Sequence, residues 1–446
     1  MKNRPDQRIA ILGAGPGGLA AAEALREKGY RHIVVYERAG RVGGQVLTGS
    51  YTTPDGRSIV YDLGSVQPTS SRKLDALFAR YGLHFGRGIL QDQPKAIYAY
   101  SYIHASEFAN FLKYYFGAPL IKLPAIAADV AKLSWYLWRY RRLARPGFHG
   151  FRHWDETTVN VREWVDARGF RFIGERLLAM LVSALTLNNK TREKEVPVYL
   201  LFKALYATLV FPMRYIDGTY RPVREGMQEL WKRVAANFEV VLNADITGIR
   251  RTAESVEIVT PAGSRHFDAL ILSCGFDKIA ARIDATEEER VLFTGVGYRP
   301  GYRGAFIASG GPVDGVHWYP DSFTSGDAPP HMAFAVPEAQ VAQGHTLYSC
   351  MFAACPTGAG AVATLQASAE RMFREQYGAR ITEWLRMQYW PDFGATFDPA
   401  LVRGGVFDRI DALQGKSRTY HTGQLLSLTG NALGVEFSYD LVERFF

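Results

Sequence analysis

The chain has 446 residues, more than one ordinary hydrophobic core holds, and this length predicts two or three packed units. Apolar residues make up 47% and charged residues 22%, a composition that excludes a disordered chain. The formal net charge of +8 fits an anionic small molecule or a membrane surface, and we predict no nucleic-acid partner.

Cysteine usage indicates a reducing compartment, so we expect a cytoplasmic protein. Cys274, Cys350 and Cys355 form an odd and sparse set that does not support a disulfide framework. No histidine pair lies near the last two, so we predict no metal site. Glycines interrupt the first apolar run, and no uncharged apolar stretch reaches the length of about 18 residues that a spanning helix needs. We expect neither a signal peptide nor a transmembrane helix.

A buried strand followed by a glycine-rich turn opens the chain. Residues 8–12 predict the strand, and residues 19–28 predict an alanine-rich helix. The turn between them fits the G-x-G-x-x-G spacing, in which the first glycine permits a sharp turn and the second lets the backbone approach a pyrophosphate. The third glycine lets the helix pack closely on the strand, and the helix N-terminus faces the anion. The predicted phosphate-binding residues of this turn are Gly13, Gly15, Pro16 and Gly18.

An acidic residue closes the second predicted strand, at residues 32–36. Glu37 follows Gly13 by 24 residues, about the spacing at which a carboxylate accepts hydrogen bonds from ribose hydroxyls. An acid at this position favours a bare ribose over a 2′-phosphate. This pattern alone does not separate NAD from FAD.

The residues after Glu37 resemble a known family. Residues 37–45, ERAGRVGGQ, resemble the E-R-x-x-R-x-G-G continuation of the flavin amine-oxidase superfamily, and residues 61–64, YDLG, resemble its D-x-G turn. The resemblance implies FAD as the cofactor. The residues that it assigns to cofactor binding are Arg38, Gly43, Gly44 and Gly64.

Three later segments resemble the same superfamily. Residues 224–230 open an amphipathic helix similar to its G-G-M-x-x-L element, and residues 240–249 predict two short strands, of which the one at Ile246 would contact the adenine. Residues 419–424 resemble the terminal flavin motif, although Gln424 stands where relatives carry an acid. An amide there can still hydrogen-bond the ribityl or phosphate groups, without the charge. Residues 431–446 predict a turn and a helix whose N-terminus faces the flavin. The residues assigned from these segments are Ile246, Gly423, Gln424 and Val435.

The spread of these motifs implies an α/β fold with a Rossmann-like (GR2-type) FAD-binding domain, an antiparallel-sheet substrate domain and a helical cap. The FAD-binding domain is then discontinuous, over residues 1–90, 223–285 and 405–446. Residues 91–222 have helical periodicity and would form the helical cap and substrate-access region. Residues 286–404, rich in β-formers, glycine and proline, would form the substrate domain.

Residues 122–153 mix tryptophan and tyrosine with lysine and arginine. A basic, aromatic, amphipathic helix of this kind can lie on a lipid surface. The alternative is a solvated helix with its apolar face on the core and its arginines outward. The sequence leaves both interpretations open.

A narrower resemblance is to the bacterial FAD-dependent polyunsaturated fatty acid (linoleic acid) double-bond isomerases. It rests on the last 25 residues, on residues 196–203 and on residues 277–279. In that family the flavin takes a hydride from an allylic carbon and returns it at the far end of the delocalised cation. The resemblance implies a redox-neutral shift of a double bond, with FAD bound non-covalently, because the cysteines lack the flanking pattern of covalent attachment.

We therefore expect an isomerase acting on an unsaturated fatty acid or polyene, an apolar substrate with a carboxylate. The alternatives are an amine oxidase, a polyene desaturase or oxidase, and a non-enzymatic FAD-binding protein, which the intact motifs disfavour. No dedicated catalytic side chain is expected, because the chemistry takes place at flavin N5. Arg87 is the candidate carboxylate anchor, with a solvent-exposed arginine as the alternative, and Trp390 is either a cavity wall or a core residue. The candidate channel residues, for which an ordinary core helix and strand is the alternative, are Phe202, Tyr206, Phe211, Met213 and Tyr215.

Overall fold

The computed structural model describes residues 4–64, 71–84, 97–99, 123–171, 196–208, 223–313, 316–319, 331–353, 356 and 358–446. Five residues named above lie outside these ranges, namely Arg87, Phe211, Met213, Tyr215 and Cys355.

The secondary structure alternates between the two element types at both ends of the chain. The strands are β1 Arg8–Leu12, β2 His32–Tyr36, β3 Thr48–Thr52, β4 Ser58–Asp62, β5 Ile97–Ala99, β6 Glu239–Val241, β7 Gly248–Arg251, β8 Val256–Thr260, β9 Gly263–Phe267, β10 Ala269–Leu272, β11 Val296–Gly297, β12 Gly301–Ser309, β13 Val316–Trp318, β14 His331–Ala342, β15 His345–Ala353, β16 Arg380–Trp390, β17 Thr396–Phe397 and β18 Thr419–His421. The α-helices are α1 Pro16–Glu27, α2 Arg72–Arg80, α3 Leu123–Arg139, α4 Trp154–Thr157, α5 Val161–Ala167, α6 Val198–Thr208, α7 Met227–Ala235, α8 Glu287–Phe293, α9 Ala361–Tyr377, α10 Pro399–Arg403, α11 Val406–Leu413, α12 Gln424–Ser427 and α13 Asn431–Phe445. Short 3₁₀ helices occupy Arg141–Ala144, Phe276–Lys278 and Lys416–Arg418.

A parallel sheet forms the base of the molecule. Within the described ranges it has the strand order β18-β10-β1-β2-β6, and every neighbouring pair is parallel. The central strands are continuous apolar runs because both faces of the sheet are covered, as in other parallel sheets. Helix α1 connects β1 to β2, while β10 lies on the other side of β1. The direction of the strand order therefore reverses beside β1, where open α/β sheets bind their ligands.

A second sheet lies over the first. In the described part of the chain its order is β16-β12-β15-β14-β13-β5; the neighbours from β16 to β13 are antiparallel, and β5 is parallel to β13. We call it the antiparallel sheet. Side chains of β12 alternate between its two faces. Phe306 packs towards α9, whereas Ala305 and Ile307 pack with Leu63, next to the hairpin β3–β4.

Helices α3 to α6 form an aromatic-rich layer whose core is continuous with the parallel sheet. Tyr140 packs edge-on against Phe202 of α6 at 4.8 Å between ring centroids, and Trp164 of α5 packs on the same ring at 5.4 Å. These contacts join the helices into one core. The α/β fold with a Rossmann-like parallel sheet, an antiparallel sheet and additional helices is confirmed. The domain boundaries given above stay predictions.

Two local expectations differ from the structure. Helix α1 begins at Pro16 rather than at residue 19, because proline fits the first turn of a helix, where its missing N–H is not needed. Ile246 lies in the loop between β6 and β7 rather than in a strand. The backbone there bonds to another loop: the N–H of Asn243 donates to the Ala39 carbonyl, and the N–H of Ala244 donates to the Glu37 carbonyl.

Candidate functional site

The turn after β1 has the geometry that the glycine spacing predicts. Gly13 has φ of +104°, a conformation that favours glycine, and its N–H donates to the Tyr36 carbonyl at 2.8 Å. A Cβ on Gly18 would overlap the carbonyl oxygen of Gly13, so this glycine allows α1 to pack directly on the turn. The N-terminus of α1 thus points its free N–H groups at the end of the parallel sheet.

Glu37 links the turn after β1 to the loop after β2. The residue is 8% exposed, and its carboxylate accepts hydrogen bonds from the backbone N–H of Ala14 and of Ala39, each at 2.8 Å. One oxygen is used for each donor, so both keep lone pairs for a ligand. The acid predicted to bind ribose is therefore fixed in one orientation at the site.

A cavity of about 980 Å³ begins at this turn and reaches the antiparallel sheet. Its volume lies at the upper end of the range of small-molecule pockets, about 300–1,000 Å³. Among the described residues that the sequence assigns to cofactor or substrate, most lie on its wall. These are Gly13, Gly15, Pro16, Glu37, Arg38, Gly44, Ile246, Trp390, Gly423 and Gln424.

Four assigned residues do not line the cavity but belong to the segments that form its wall: Gly18, Gly43, Gly64 and Val435. The N–H of Gly43 donates to the Ala14 carbonyl at 2.8 Å, and a Cβ on Gly64 would overlap the carbonyl oxygen of Gln45. Val435 is fully buried in the core, whereas its neighbours Leu433 and Gly434 line the cavity. These glycines therefore allow loops to pack against each other. Helix α13 contributes to the cavity wall through Leu433 and Gly434 rather than through Val435.

Arg41 also lines the cavity. It lies within the motif of residues 37–45, but the sequence analysis gave it no role. Its guanidinium donates to the carbonyls of Gly44 at 2.8 Å and Val46 at 3.0 Å. Burial lowers the pKa of Arg41. The side chain fixes the loop that carries Gly44, and a Cβ on Gly44 would lie only 3.0 Å from the Cα of Gly15.

Asp392 joins the wall residues of distant segments. The side-chain amides of Gln45 and Gln424 both donate to its carbonyl oxygen, at 2.7 Å and 2.8 Å. Its carboxylate pairs with Lys278 at 2.9 Å and with Arg38 at 3.2 Å. The amide of Gln424, expected beside the ribityl or phosphate groups, thus donates to the protein backbone instead. Sequence reasoning missed this junction, because its members lie far apart along the chain.

Residues of the antiparallel sheet add aromatic side chains and the buried Arg303 to the cavity lining. Trp390 donates its indole N–H to the Leu63 carbonyl at 2.8 Å, and this hydrogen bond fixes the orientation of the ring. The ring lines the cavity and also packs in a core cluster, so Trp390 is both a wall residue and a core residue. Arg303 is 9% exposed, and its guanidinium lies 5.4 Å from the centre of the Phe334 ring. Ala204 of α6 lines the same cavity.

Two predicted channel residues lie on the other side of α6. Phe202 packs against Tyr140, and the Tyr206 hydroxyl donates to the Leu137 carbonyl. Both contacts are with the α3 region, whereas Ala204 and Ala207 of the same helix line the cavity. Phe202 and Tyr206 therefore follow the core alternative rather than the channel one, and small residues of α6 make the wall and leave room for a ligand.

The titratable side chains His421 and Cys274 on the cavity wall are neutral near pH 7. Burial lowers the pKa of His421 to about 4 and raises the pKa of the Cys274 thiol to about 12. Neither an imidazolium nor a thiolate therefore stands at these positions. The arrangement is suited to binding and orienting a ligand rather than to nucleophilic catalysis by these groups.

A buried side-chain amide supplies a test of whether a ligand fits. Asn431, 3% exposed at the start of α13, lines the cavity, and its Nδ2 has no hydrogen-bond acceptor within the described protein. A buried donor without an acceptor is costly, so its acceptor is expected on a bound molecule. Together with the helix N-terminus at Pro16, the donor fits a dinucleotide with polar groups along its length.

Comparison with known proteins gives partial sequence matches and a match of the whole fold. A family profile described as an NAD(P)-binding Rossmann-like domain matches residues 11–81. The polyenoic fatty acid isomerase of Ptilota filicina is 40% identical over 60 residues, which are 14% of this chain and 11% of that protein. The tryptophan 2-monooxygenase of Agrobacterium tumefaciens is 34% identical over 80 residues, 18% of this chain and 10% of the relative. The chain thus spans only a small part of the length of the curated relatives that it matches. For a further relative, a glutamate synthase of Schizosaccharomyces pombe, this share is 2%.

Solved structures match over nearly the full chain. The CLA-producing fatty acid isomerase from P. acnes superposes with a TM-score of 0.79 and 21% identity, covering 99% of both chains. The cyclohexylamine oxidase from Brevibacterium oxydans superposes with a TM-score of 0.68 and 14% identity, again over 99% of both. At this identity the similarity establishes the fold. The chain thus carries an NAD(P)-binding Rossmann-like domain, matched over residues 11–81, and shares its overall fold with these two solved structures.

Proposed function

We propose that this protein is an FAD-dependent isomerase that shifts a double bond in an unsaturated fatty acid or a related polyene. The observation that carries the proposal is a continuous cavity, which joins a dinucleotide-binding turn to an apolar wall bearing a buried arginine. One ligand pocket then holds cofactor and substrate side by side.

The residues of the wall fit FAD. Glu37 has free lone pairs for ribose hydroxyls, the N-terminus of α1 faces the site for the pyrophosphate, and Asn431 offers an unused donor. FAD supplies hydride acceptance from carbon and hydride return to carbon. Cys274, a neutral thiol on the wall, supports non-covalent binding, because thiolate is the reactive form of cysteine.

The side chains of this protein orient the substrate and exclude water. Trp390 and Phe334 give the cavity rigid apolar surfaces, and Ala204 and Ala207 leave space for an acyl chain. Holding a carbon in reach of the cofactor is the main requirement of hydride transfer, and a dry wall prevents water from trapping a cationic carbon.

Arg303 favours an acid over an amine as the substrate. A guanidinium at the wall pairs with a carboxylate through two parallel hydrogen bonds, and it repels a protonated amine. The higher TM-score of the fatty acid isomerase, compared with that of the amine oxidase, supports the same choice. We assign to Arg303 the anchoring role that the sequence analysis gave to Arg87.

The central experiment is anaerobic turnover of the flavin-loaded protein with linoleic acid deuterated at the carbon between its double bonds. We expect conjugated-diene absorbance to grow to many equivalents of protein while the flavin spectrum stays oxidised, and we expect the deuterium to remain in the product. Bleaching of the flavin by one equivalent of substrate, reversed only by oxygen, would instead identify an oxidase or desaturase.

Substitution of Arg303 tests the anchor. Arg303→Gln is expected to raise the KM for the free acid by roughly 10- to 100-fold, because a charged hydrogen bond is lost, and to leave the KM for the methyl ester nearly unchanged. Arg303→Lys keeps the charge and should recover part of the loss. Arg380→Gln, an exposed arginine on β16, is the control. Equal KM changes for acid and ester in Arg303→Gln, with the flavin still bound, would contradict the assignment.

A further inference from the structure

The solvent-facing side of helix α3 is apolar. Its exposed residues follow helical spacing along the full described length of the helix, and none of them is charged: Pro124, Ala127, Ala128, Val130, Ala131, Ser134, Trp135 and Trp138. A surface helix normally turns charged and polar residues to water. Helix α3 departs from this rule. Its opposite side, with Leu133, Tyr136 and Leu137, packs on the core, so the helix is apolar on both sides.

The charged residues of α3 bind to the protein itself. Asp129 is buried and accepts the Arg171 backbone N–H at 3.0 Å. Lys132 donates to the Gly169 carbonyl at 2.7 Å, and Arg139 pairs with Glu156. These contacts hold the helix in one rotation, so the apolar side stays outward. The solvated-helix interpretation is met only in part: the apolar side with Leu133 and Tyr136 packs on the core, but Arg139, the one arginine of the helix, pairs with Glu156 and does not form the outer face.

Two tryptophans dominate this face. Trp135 is 49% exposed and Trp138 is 62% exposed, which is unusual for large aromatic residues. The guanidinium of Arg141 lies 4.6 Å from the centre of the Trp138 ring. Arg141 and Arg145 are exposed just beyond the end of the helix.

We propose that this tryptophan face, defined as Val130, Ala131, Trp135 and Trp138 with Arg141 and Arg145, docks on the surface of an anionic lipid bilayer. Tryptophan is the residue that lies at the headgroup level of membranes, and arginines beside an apolar stripe pair with acidic headgroups. No helix in the described ranges has the length and apolar character to cross a bilayer, so the contact is with one leaflet surface.

The tryptophan face is mounted rigidly on the wall of the cavity. Lys203 of α6 donates to the carbonyls of Leu143, Arg145 and Gly147, at 3.0, 2.6 and 2.9 Å. The Tyr206 hydroxyl of α6 donates to the Leu137 carbonyl of α3. The opposite side of α6 lines the cavity through Ala204 and Ala207. One helix therefore separates the bilayer contact from the ligand site, which suits a substrate that partitions into lipid.

The experiment is sedimentation of the flavin-loaded protein with vesicles of phosphatidylcholine containing about 30% phosphatidylglycerol, a typical anionic surface. The first variant is Trp135→Gln/Trp138→Gln, and the second is Arg141→Gln/Arg145→Gln. The control is Val291→Gln/Val362→Gln, which changes two exposed valines on the distant helices α8 and α9. Flavin content and far-UV circular dichroism verify that every variant is folded.

We expect the tryptophan variant to lower the partition coefficient at least about tenfold, because two large apolar side chains no longer enter the interface. The arginine variant should lower it roughly 30-fold on anionic vesicles and have little effect on pure phosphatidylcholine. The control should bind like the parent. This readout involves no turnover, so it is independent of the proposed reaction.

Three outcomes would overturn the proposal. The first is a parent protein that remains in the supernatant with anionic vesicles. The second is a tryptophan variant that sediments as the parent does. The third is a parent that is dimeric without lipid while the tryptophan variant is monomeric, which would assign the face to a second copy of the chain.

Discussion

At the scale of single residues, the glycines of the site differ in what a side chain would meet. At Gly18 and Gly64 an added Cβ would strike the protein backbone. Gly434 is buried in the first turn of α13 and lines the cavity, yet a Cβ there would meet no protein atom within 4 Å. The space in front of Gly434 is therefore the cavity itself, and we expect a bound cofactor to occupy it.

Gly434→Ala should separate stability from cofactor binding. The apoprotein should keep its free energy of unfolding or gain up to about 1 kcal/mol, because alanine is the better helix former. The FAD affinity should fall, because the methyl group occupies the cavity. Urea unfolding of the apoprotein and FAD titration by flavin fluorescence measure the two effects. Gly301→Ala on β12, where a Cβ also meets no atom within 4 Å, is the control. Equal FAD affinity in Gly434→Ala would contradict this placement.

At the scale of elements, two partly buried acidic residues lie where the hairpin β3–β4 meets the antiparallel sheet. Asp62 of β4 accepts from the Thr48 hydroxyl and from the Met227 N–H, and Glu338 of β14 accepts from the Ser349 hydroxyl. Burial raises the pKa of Asp62 to about 6. Burial, and secondarily the charge of Asp62, raises the pKa of Glu338 to about 7.

The raised pKa of Glu338 predicts that stability falls as the pH rises. Between the ordinary glutamate pKa of 4.5 and the folded value of about 7, the folded protein binds this proton more tightly than the unfolded chain does. The contribution of Glu338 to the free energy of unfolding is therefore fully present below about pH 4.5 and is lost as the pH rises through about 7. Glu338→Gln keeps an acceptor for Ser349 and removes the titration, so it should be more stable than the parent at pH 8 by about 1–3 kcal/mol.

Urea unfolding at pH 5 and at pH 8 measures this difference. The parent should lose more stability between the two pH values than Glu338→Gln does. Glu254→Gln, at an exposed glutamate, should follow the parent. Identical pH dependence of the parent and Glu338→Gln would show that the group titrates normally.

The contact between α6 and the segment 143–147 depends on one ammonium group. Lys203 is 1% exposed, and its three hydrogen bonds satisfy three backbone carbonyls. Lys203→Met keeps much of the apolar stem but leaves these carbonyls without their donor, so the free energy of unfolding should fall by about 3 kcal/mol or more. Lys416→Met, at an exposed lysine, should change it by less than about 0.5 kcal/mol. Similar unfolding curves for the two variants would mean that other donors replace the ammonium.

At the scale of the whole molecule, the cavity lies between the parallel sheet and the antiparallel sheet. Gly13 and Glu37 line it from the first, and Arg303, Phe334 and Trp390 line it from the second. A ligand that fills it therefore contacts both sheets and stabilises their packing.

Removal of FAD should lower the melting temperature, and added FAD should restore it. At a free concentration 100 times the Kd, the stabilisation is about 2.7 kcal/mol. Calorimetry of the stripped and the reconstituted protein measures the shift, with NAD at the same concentration as the control ligand. Equal melting temperatures with and without FAD would place the cofactor elsewhere.

The sequence predicts the parts of the site that are local along the chain. Gly13 to Gly18 and Glu37 act through neighbours within one strand–turn–helix unit, so their spacing is sufficient. Arg303 and Asp392 reach the cavity only through the pairing of distant strands and loops, and no local pattern signals them.

The differences between expectation and structure have the same origin. The helical period of α6 is clear from the sequence, but the neighbours of the helix decide which face meets the ligand. Phe202 and Tyr206 therefore turned towards α3 instead of the cavity. Ile246 follows Asn243, whose φ of +51° ends the extended backbone, and long-range bonds to the loop after β2 then replace strand pairing.

The order of the strands in the parallel sheet has a consequence for biosynthesis. β1 ends at Leu12, but its neighbour β10 begins at Ala269, and the next strand, β18, begins at Thr419. At translation rates of about 5–20 residues per second, the interval between emergence of β1 and of β18 is roughly 20 to 80 seconds. A nascent chain on the ribosome holds an open strand edge throughout this interval, and such edges invite pairing with other chains. The nucleotide-binding turn is thus made first, and the sheet that carries it is completed only when the last strand has emerged.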